Sequence, residues 1–387
     1  MTGEPLALYV HWPFCVSKCP YCDFNSHVRA EIDQIAWRDA LLVDLAHEAR
    51  LLPGRQLTSI FFGGGTPSLM DPTTVEAVIA AAMSHWPTSG PMEITLEANP
   101  NSVEAARFAD LAKAGVNRLS LGLQSFDDKA LAFLGRAHSA REGWRALEIA
   151  ERKFRRVSFD LIYALPGDSE AAWAATLAQA LSLGTSHLSL YQLTIEPGTR
   201  FASIVARRDF EPLDPDAAAT LYELTDEMTS SAGMPAYEIS NHARIGQESR
   251  HNLTYWRYGD YAGVGPGAHG RRLGMRTMRH RKPENFLSAV ARNGHGMVEE
   301  APLSPVESAD EALVMGLRLR EGIDREVLGE RFGLPALVDW NRVSALVRSG
   351  HIEQSGTRIA LTGAGRLLLD HILGEIVATE PRALAVA

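Results

Sequence analysis

Short apolar runs rich in strand-forming residues alternate with segments of helical periodicity through the first half of the chain. Helical spacing marks 35–52, 73–86, 103–115 and 170–184, and two more helical segments end near residue 153; the apolar runs occupy 6–12, 59–64, 92–98, 118–125, 156–166 and 187–195. Strands separated by helices of this length predict parallel pairing with right-handed crossovers. Six such units predict an α/β protein with an open, partial (β/α)6 barrel, because a complete barrel of this kind has eight.

The sequence after residue 205 predicts two further regions. Residues 206–300 are rich in Gly, Arg and Tyr and predict an irregular extension, whereas residues 301–387 predict a small, mainly helical C-terminal domain. Within that domain, GHIEQSGTRIALTGAGRLLLDHIL predicts a small β-wing followed by a helix, as in winged-helix domains. The predicted domain boundaries are therefore 1–205 for the barrel, 206–300 for the extension and 301–387 for the last domain.

Polar or conformationally unusual residues end each predicted strand of the barrel. They are the three cysteines after the first strand, Gly63-Gly64-Gly65-Thr66-Pro67, Glu97-Ala98-Asn99-Pro100, Gln124-Ser125, Asp160 and Gln192. In barrels of this kind the chemistry takes place at the carboxyl ends of the strands. Six successive strands that end in this way predict the lining of a single cavity.

Composition and charge narrow the class of protein. The 387 residues are 45% hydrophobic and 22% charged, with a net charge of −9, which is typical of a soluble protein and argues against a general polyanion binder. No apolar run is long enough to span a membrane, and the N-terminal MTGEPLALYVHWPF lacks the basic segment of an export signal. We therefore expect a cytoplasmic protein.

The three cysteines of the chain stand close together, at Cys15, Cys19 and Cys22. In a chain without an export signal, such a cluster predicts metal ligands or redox thiols rather than disulfides. The spacing alone suits either a zinc ion with His11 or His27 as the fourth ligand, or a [4Fe–4S] cluster with one iron free of protein ligands. A position at the mouth of a cavity, beside a glycine run, favours the cluster, because an open iron can bind a small molecule.

The cysteine motif, with Tyr21 before its last cysteine, and the Gly-Gly-Gly-Thr-Pro run after the second strand resemble the radical S-adenosylmethionine proteins. The resemblance implies a [4Fe–4S] cluster on Cys15, Cys19 and Cys22, with S-adenosylmethionine chelated by the open iron. It also implies an electron donor, since one electron from the cluster can cleave S-adenosylmethionine to a 5′-deoxyadenosyl radical. Glycines fit this role because they let the backbone approach the ligand without a Cβ clash.

Longer stretches narrow the resemblance to the oxygen-independent coproporphyrinogen III oxidase group. They are YVHWPFC at 9–15, FGGGTP at 62–67, GLQSF at 122–126 and DLIYALPG at 160–167. The resemblance covers nearly the whole chain, including its C-terminal region. It implies that S-adenosylmethionine is bound by residues at the matching positions, which are Tyr9, Tyr21, Gly64, Gly65, Thr66, Glu97, Gln124, Arg136, Asp160 and Gln192.

Two departures from the oxidases match a heme-chaperone branch of the same group. Phe24 stands where the oxidases carry a further cysteine, and the first motif begins at Tyr9, which leaves no room for their N-terminal extension. The branch also shares HNLTYW at 251–256, an HNxxYW motif associated with heme. The resemblance therefore implies a protein that binds heme and delivers it to apo-proteins such as respiratory enzymes, with His251 as a candidate heme ligand.

Other groups near this motif are candidates for contacts with heme. Tyr255 and Trp256 could pack on a porphyrin face, and His269 is a second candidate ligand. The basic run from Arg271 to Lys282 could pair with propionates, since guanidinium matches carboxylate geometry. Without the family resemblance, these residues favour a simpler interpretation, in which the basic run is a solvated loop and the histidine is buried with hydrogen-bond partners in the core.

Two other functions remain open at this point. One is radical decarboxylation of tetrapyrrole propionates, which predicts anaerobic turnover of coproporphyrinogen III; the missing cysteine and extension count against it. The other is nucleic-acid binding through the wing-like module, which the acidic balance of the chain disfavours. The resemblance leaves open whether S-adenosylmethionine is cleaved or only held.

Overall fold

The structure, a computed structural model, describes residues 3–333 and 338–377. Its first half follows the predicted alternation. The strands are β1 (Pro5–Trp12), β2 (Phe14–Cys15), β3 (His27–Val28), β4 (Gln56–Gly64), β5 (Thr88–Ala98), β6 (Arg118–Gln124), β7 (Arg156–Tyr163) and β8 (His187–Gln192). The helices are α1 (Gln34–Leu51), the 3-10 turn η1 (Pro67–Leu69), α2 (Pro72–His85), α3 (Ser102–Ala105), α4 (Phe108–Lys113), α5 (Asp128–Phe133), α6 (Ala140–Lys153) and α7 (Glu170–Ser182). Each predicted strand is confirmed, and the helix predicted at 103–115 is divided into α3 and α4.

The predicted partial barrel is confirmed by the pairing of its strands. β1, β4, β5, β6, β7 and β8 lie side by side in chain order, and every neighbouring pair is parallel. Because successive side chains of a strand point to opposite faces, each strand has one face toward the helices and one toward the barrel interior. Val10 and Phe62 belong to the same hydrophobic cluster as Val78 of α2. The alternate positions are largely polar, so the barrel interior offers side chains for chemistry.

The segment 206–300, for which the sequence predicts irregular structure, consists mainly of ordered elements. They are α8 (Arg200–Ala206), which begins before it, α9 (Pro215–Ser231), β9 (Asn241–Ala243), α10 (Arg250–Trp256), β10 (Tyr261–Val264), β11 (His269–Arg272), β12 (Met275–Arg279), α11 (Pro283–Asn293) and β13 (Met297–Pro302). β9 pairs antiparallel with β8, while β10 pairs parallel with β1 and is followed by β11, β12 and β13. The sheet thereby has eleven strands in the described part of the chain.

Buried charges explain why the hydrophobic pattern does not reveal these strands. Arg272 and Arg279 point to the helix side of the sheet, where they meet Asp44 and Glu48 of α1. Nε of Arg272 lies 2.6 Å from Oε2 of Glu48, and Nη2 of Arg279 lies 2.5 Å from Oε1 of the same side chain. Nε of Arg279 lies 3.2 Å from Oδ2 of Asp44. Charged residues therefore occupy positions in which a buried strand would ordinarily carry apolar side chains.

The C-terminal region has a hydrophobic core of its own, which includes Leu313, Leu317, Ile359 and Ile372. Its elements are α12 (Pro305–Arg318), β14 (Ile323–Asp324), α13 (Arg325–Phe332), α14 (Trp340–Arg348), β15 (Ile352–Ser355), β16 (Arg358–Leu361), α15 (Gly363–Leu367) and α16 (Leu369–Ile376). The predicted β-wing is confirmed as the antiparallel pair β15–β16. Residues 1–2, 334–337 and 378–387 of the predicted domains lie outside the described residues. Within the described ranges, no helix is both long and apolar enough to cross a bilayer.

Candidate functional site

The three cysteines line one cavity at the carboxyl ends of the barrel strands. Cys15 ends β2, and Cys19 and Cys22 follow in the loop between β2 and β3. The amide of Cys22 donates to the carbonyl of Cys19 over 3.2 Å, so these two residues form a turn. All three are free, half-buried thiols. The cavity measures about 790 Å³, which is within the range of small-molecule sites.

Two hydrogen-bond donors reach the sulfur atoms from the barrel. Oγ1 of Thr66 donates to Sγ of Cys15 over 3.4 Å, and Nη1 of Arg136 donates to Sγ of Cys19 over 3.4 Å. Nη2 of Arg136 also donates to Oδ1 of Asn99, at 2.5 Å. Because Asn99 directly follows β5, the guanidinium ties the cysteine loop to the end of a barrel strand.

Gly64 and Gly65 present bare backbone to the cavity. Gly64 has a φ of 113°, and a Cβ at this position would lie 2.5 Å from Cε1 of His11. A Cβ on Gly65 would lie 2.7 Å from the carbonyl oxygen of Phe14. Neither position accommodates a side chain, because the His11 ring and the backbone of Pro13 and Phe14 occupy the space that a Cβ would need.

Glu97 and Asp160 place two carboxyl groups in the cavity wall. Oε2 of Glu97 accepts from the amide of Gly64 over 3.2 Å, and Oδ1 of Asp160 accepts from Oγ of Ser120 over 3.3 Å. Burial, together with the charge of Asp160, raises the pKa of Glu97 to about 8. Burial also raises the pKa of Asp160 to about 6. A bound cation would favour the ionised form of both groups, since an opposite charge stabilises a carboxylate.

Two buried polar atoms in this wall have no hydrogen-bond partner among the described residues. They are Oε1 of Gln124 and Nε of Arg136. Gln124 also has a φ of 66° at the end of β6, a strained conformation for a residue other than glycine. Buried polar atoms are normally paired, so these two indicate a place where a polar ligand completes the site.

Most residues that the family resemblance implies come together in this cavity. Its lining includes Cys15, Cys19, Tyr21, Cys22, Gly64, Gly65, Thr66, Glu97, Gln124, Arg136, Asp160 and Gln192. The side-chain amide of Gln192 donates to the carbonyl of Ala218 over 2.7 Å, so part of its hydrogen-bonding capacity is used within the protein. The prediction that the strand ends form a single cavity is confirmed, and the ligands assigned to these residues stay predictions.

Tyr9 lies behind the cavity, where its hydroxyl is 2.9 Å from Nδ1 of His11. Nε2 of His11 is 2.9 Å from the carbonyl oxygen of Asn25, so both ring nitrogens of His11 have partners. Nε2 of His27 contacts the carbonyl oxygen of Arg281 at 3.2 Å. Neither histidine is positioned as the fourth ligand of a zinc ion. Within 3–333 and 338–377, no three His, Cys, Asp or Glu side chains are grouped closely enough to hold a single metal ion.

His251 lies on α10, packed against the inner faces of β1 and β4. Its Nδ1 is 3.3 Å from Oγ of Ser59, and its ring stacks on Phe61 with 4.9 Å between centroids. Burial, together with the charge of Arg118, lowers the pKa of His251 to about 3. The side chain is buried and is not part of the cavity lining. Its assignment as a heme ligand stays a prediction, as does that of the exposed His269.

The basic run from Arg271 to Lys282 is not a free set of propionate-binding groups, which corrects the expectation from the sequence. Arg272 and Arg279 pair with the buried carboxylates described above. The guanidinium of Arg271 lies over the ring of Tyr258, 3.5 Å from its centroid, and Arg276 pairs with Glu299 at 3.0 Å.

The C-terminal region supplies a wall of the cavity that the sequence patterns do not predict. We call this surface the C-terminal wall and define it by Arg318, Arg366, Leu367, Leu368 and His371. Local periodicity carries no signal for such a contact, because the two sides of the cavity are more than a hundred residues apart in the chain.

The cavity fits the group that its thiols imply. Three thiols on one wall, a guanidinium beside one sulfur, two glycines without room for Cβ atoms and two unpaired polar atoms suit a [4Fe–4S] cluster with a polar ligand on its open iron. Together with the partial barrel, these features define a radical S-adenosylmethionine protein. In agreement, the family model of the Radical SAM superfamily matches residues 9–180, and that of the HemN C-terminal domain matches residues 303–368.

Curated relatives extend over nearly the whole chain. The chain is 40% identical over 380 residues to "Radical S-adenosyl methionine domain-containing protein 1, mitochondrial" of Bos taurus, covering 95% of this chain and 83% of that protein. It is 37% identical over 377 residues to "Heme chaperone HemW" of Escherichia coli, covering 95% of this chain and 97% of that protein. At this identity and coverage, the chain belongs to the family of radical S-adenosylmethionine proteins that includes HemW.

A solved structure shares the fold. Coproporphyrinogen III oxidase (HemN) from Escherichia coli superposes with a TM-score of 0.81, covering 97% of this chain and 90% of that chain at 22% identity. The arrangement of the barrel and the helical C-terminal region is therefore that of a HemN-like protein.

Proposed function

We propose that this protein is a heme chaperone that binds a [4Fe–4S] cluster, S-adenosylmethionine and heme, and that it delivers heme to apo-proteins such as respiratory enzymes. The main support is the combination of three thiols facing one cavity with near full-length similarity to a protein named heme chaperone. The similarity to coproporphyrinogen III oxidase is below 25% identity and supports the fold alone.

In this proposal, Cys15, Cys19 and Cys22 hold three irons of the cluster. When bound, the cluster supplies an open iron for the amino and carboxylate groups of S-adenosylmethionine. Thr66 and Arg136 donate hydrogen bonds to the sulfur atoms of Cys15 and Cys19. Burial raises the pKa of the Cys15 thiol, and the hydrogen bond from Thr66 partly offsets this rise. The guanidinium also fixes the loop on which Cys19 and Tyr21 lie.

The glycines and the carboxyl groups accommodate S-adenosylmethionine. Gly64 and Gly65 lie in the cavity lining, where the methionine part of the ligand can approach their backbone. Glu97 and Asp160 face the same cavity, where they can accept from ribose hydroxyls or offset the sulfonium charge. The unpaired amide oxygen of Gln124 is a further acceptor for this ligand.

The partners and the compartment belong to the same proposal. A heme-accepting apo-protein is required, and an electron donor is required if S-adenosylmethionine is cleaved. The cytoplasmic location expected from the sequence also stays a prediction, and two relatives, from Bos taurus and Mus musculus, carry the word mitochondrial in their names.

A transfer assay under anaerobic conditions tests the proposal. Reconstituted protein should contain about four irons per chain, bind hemin, and pass it to an apo-cytochrome of b type, as measured by the spectrum of the acceptor. Cys22→Ala should lose the cluster, whereas Ser17→Ala, an exposed change in the same loop, should keep it. Failure to bind hemin, combined with decarboxylation of coproporphyrinogen III, would overturn the chaperone function in favour of the oxidase.

A further inference from the structure

Two arginines of the C-terminal wall have guanidinium atoms without partners. Arg318 ends α12 and Arg366 lies on α15. The side chain of Arg366 is only 7% exposed, and its Nη2 lies 2.9 Å from Oδ2 of Asp226. Nε of both arginines is buried and unpartnered among the described residues. Because buried donors without acceptors cost free energy, two of them on one cavity wall indicate that the cavity receives an anionic ligand.

The same wall carries apolar side chains that reach solvent. Leu367 and Leu368 connect α15 with α16 and are 36% and 43% exposed. Val16 and Phe24, on the cysteine loop, also line the cavity and are 65% and 56% exposed. Exposed large apolar side chains at the entrance of a polar cavity are typical of a site for an amphipathic ligand.

His371 supplies an imidazole to this wall. Its side chain on α16 is 71% exposed, and its Nε2 lies 3.2 Å from Oε1 of Glu375. A carboxylate that holds one ring nitrogen of a histidine orients the other toward a metal. Because Glu375 holds Nε2 of His371, Nδ1 is the nitrogen left for an iron. His251, in contrast, is 5% exposed and is enclosed by Ser59 and Phe61. An iron ligand at position 251 would require α10 to move away from the barrel, whereas His371 already faces the cavity.

From these observations we infer that heme binds against the C-terminal wall, with His371 as a ligand to its iron. Arg318 and Arg366 bind the propionate carboxylates, for which guanidinium groups are matched in geometry. Leu367 and Leu368 pack on the macrocycle. This inference rests on the proposed function and specifies the groups of this chain that recognise heme.

The ligand assignment is tested by titrating hemin into the full-length, cluster-loaded protein under anaerobic conditions. Difference spectra against the same protein without hemin report the Soret band. His371→Ala should shift this band and weaken hemin binding about tenfold or more, and added imidazole should restore the band. His351→Ala, a matched change on the same domain, should have no effect. Since His371 is mostly exposed, its replacement does not endanger the fold.

The carboxylate assignment is tested by comparing hemin with hemin dimethyl ester, which lacks the propionate charges. The wild type should bind hemin roughly tenfold or more tightly than the ester, since a charged hydrogen bond contributes this much. Arg318→Gln should abolish the preference, and Arg348→Gln, an exposed change on α14, should retain it. Equal binding of the two compounds by the wild type would contradict this assignment.

The outcomes separate the inference from the proposed function. If the wild type binds hemin, and His251→Ala alters the Soret band while His371→Ala does not, the inference is wrong and the chaperone function stands. If the wild type binds no hemin at all, the proposed function is wrong, and the inference that rests on it is wrong as well. A loss of binding in His371→Ala that imidazole reverses supports both.

Discussion

The guanidinium of Arg136 donates from Nη1 to Sγ of Cys19 over 3.4 Å, and it thereby joins the cysteine loop to the loop that precedes α6. Nη2 of the same side chain donates to the carbonyl of Gly122 on β6 over 2.9 Å. A cationic donor beside a metal-ligating sulfur can offset the negative charge of that ligand and hold it in place. Arg136 is therefore expected to influence how firmly the loop holds its cluster, although it is not a ligand.

We predict that Arg136→Met weakens retention of the cluster. The change removes the donor to Cys19 and leaves the acceptors of Asn99 and Gly122 without this partner, at a cost of roughly 1–3 kcal/mol for each unpaired group. The reconstituted variant should release iron to a chelator about tenfold faster than the wild type. Arg141→Met, an exposed change at the start of α6, serves as the control. Identical release from Arg136→Met and the control would show that this hydrogen bond has no role in retention.

Gly64→Ala is predicted to disturb both the fold and the binding of S-adenosylmethionine. The new Cβ would meet the ring of His11 at 2.5 Å, and that ring is held by Tyr9 and Asn25. Overpacking together with the positive φ should cost roughly 3 kcal/mol. Gly54→Ala is the matched control, since Gly54 has a φ of 75° with open space around it, and it should cost about 1 kcal/mol. Chemical denaturation measures both, and equilibrium dialysis should show at least tenfold weaker S-adenosylmethionine binding for Gly64→Ala alone.

The buried carboxyl group of Glu97 predicts a specific dependence of stability on pH. Burial raises its pKa to about 8 in the folded protein, against an ordinary value of 4.5, so the folded state binds the proton more tightly than the unfolded state. The resulting stabilisation is fully present below the unfolded pKa and is lost as pH rises toward 8. Between pH 5 and 8, the free energy of unfolding of the cluster-free wild type should therefore fall more steeply than that of Glu97→Gln. Parallel curves for the two proteins would mean that Glu97 ionises normally.

The sequence predicts the barrel well because each of its strands carries a local signal. Residues such as Ile60, Phe62, Leu119 and Leu121 are fully buried and form compact apolar runs between helical segments. The strand ends are also visible locally, since glycines and carboxylates interrupt those runs. Parallel pairing then brings these ends to one edge of the sheet, so a cavity can be predicted without knowledge of any tertiary contact.

The other features of the fold and of the cavity depend on contacts between residues that are distant in the chain, and local sequence patterns do not encode such contacts. From the local sequence alone, Arg272 and Arg279 would be assigned to the surface. The structure shows that they are buried beside Asp44 and Glu48, which are distant in the chain. Arg318 likewise gives no local sign that it lines a cavity at the barrel strands. The same limitation affects the HNxxYW motif, where the sequence indicates a link to heme but does not indicate that His251 is enclosed.

The buried charge network should make a large contribution to stability. Arg279→Leu leaves Asp44 and Glu48 with fewer compensating charges in a site where all three side chains are 0% exposed. Breaking a buried pair in this way costs roughly 3–5 kcal/mol. Arg276→Leu on the same strand removes a pair with Glu299 in which the side chains are 53% and 43% exposed, and such pairs contribute about 0–1 kcal/mol. Urea denaturation compares the two variants, and equal losses would refute the distinction.

Trp256 connects the HNxxYW motif with the cavity, because the guanidinium of Arg318 lies over its ring, 4.9 Å from the centroid. Such a contact is worth about 0.5–2 kcal/mol and holds the arginine in one orientation. The motif can therefore affect heme binding without touching heme: α10 fixes Trp256, and Trp256 positions Arg318 on the C-terminal wall. This explanation requires that the effects of changing Trp256 and Arg318 depend on each other.

A double-mutant cycle on hemin affinity measures that dependence. Trp256→Leu should weaken hemin binding by a smaller factor than Arg318→Gln does, because the guanidinium is still present but less well oriented. In the double variant the two effects should not add, since the tryptophan has no arginine left to position, and the coupling should be about 0.5–1 kcal/mol. Trp340→Leu, which removes a second arginine–tryptophan contact of 5.7 Å with Arg325, should leave hemin affinity unchanged. Additive losses from Trp256→Leu and Arg318→Gln would instead mean that the motif acts on heme by a route independent of Arg318.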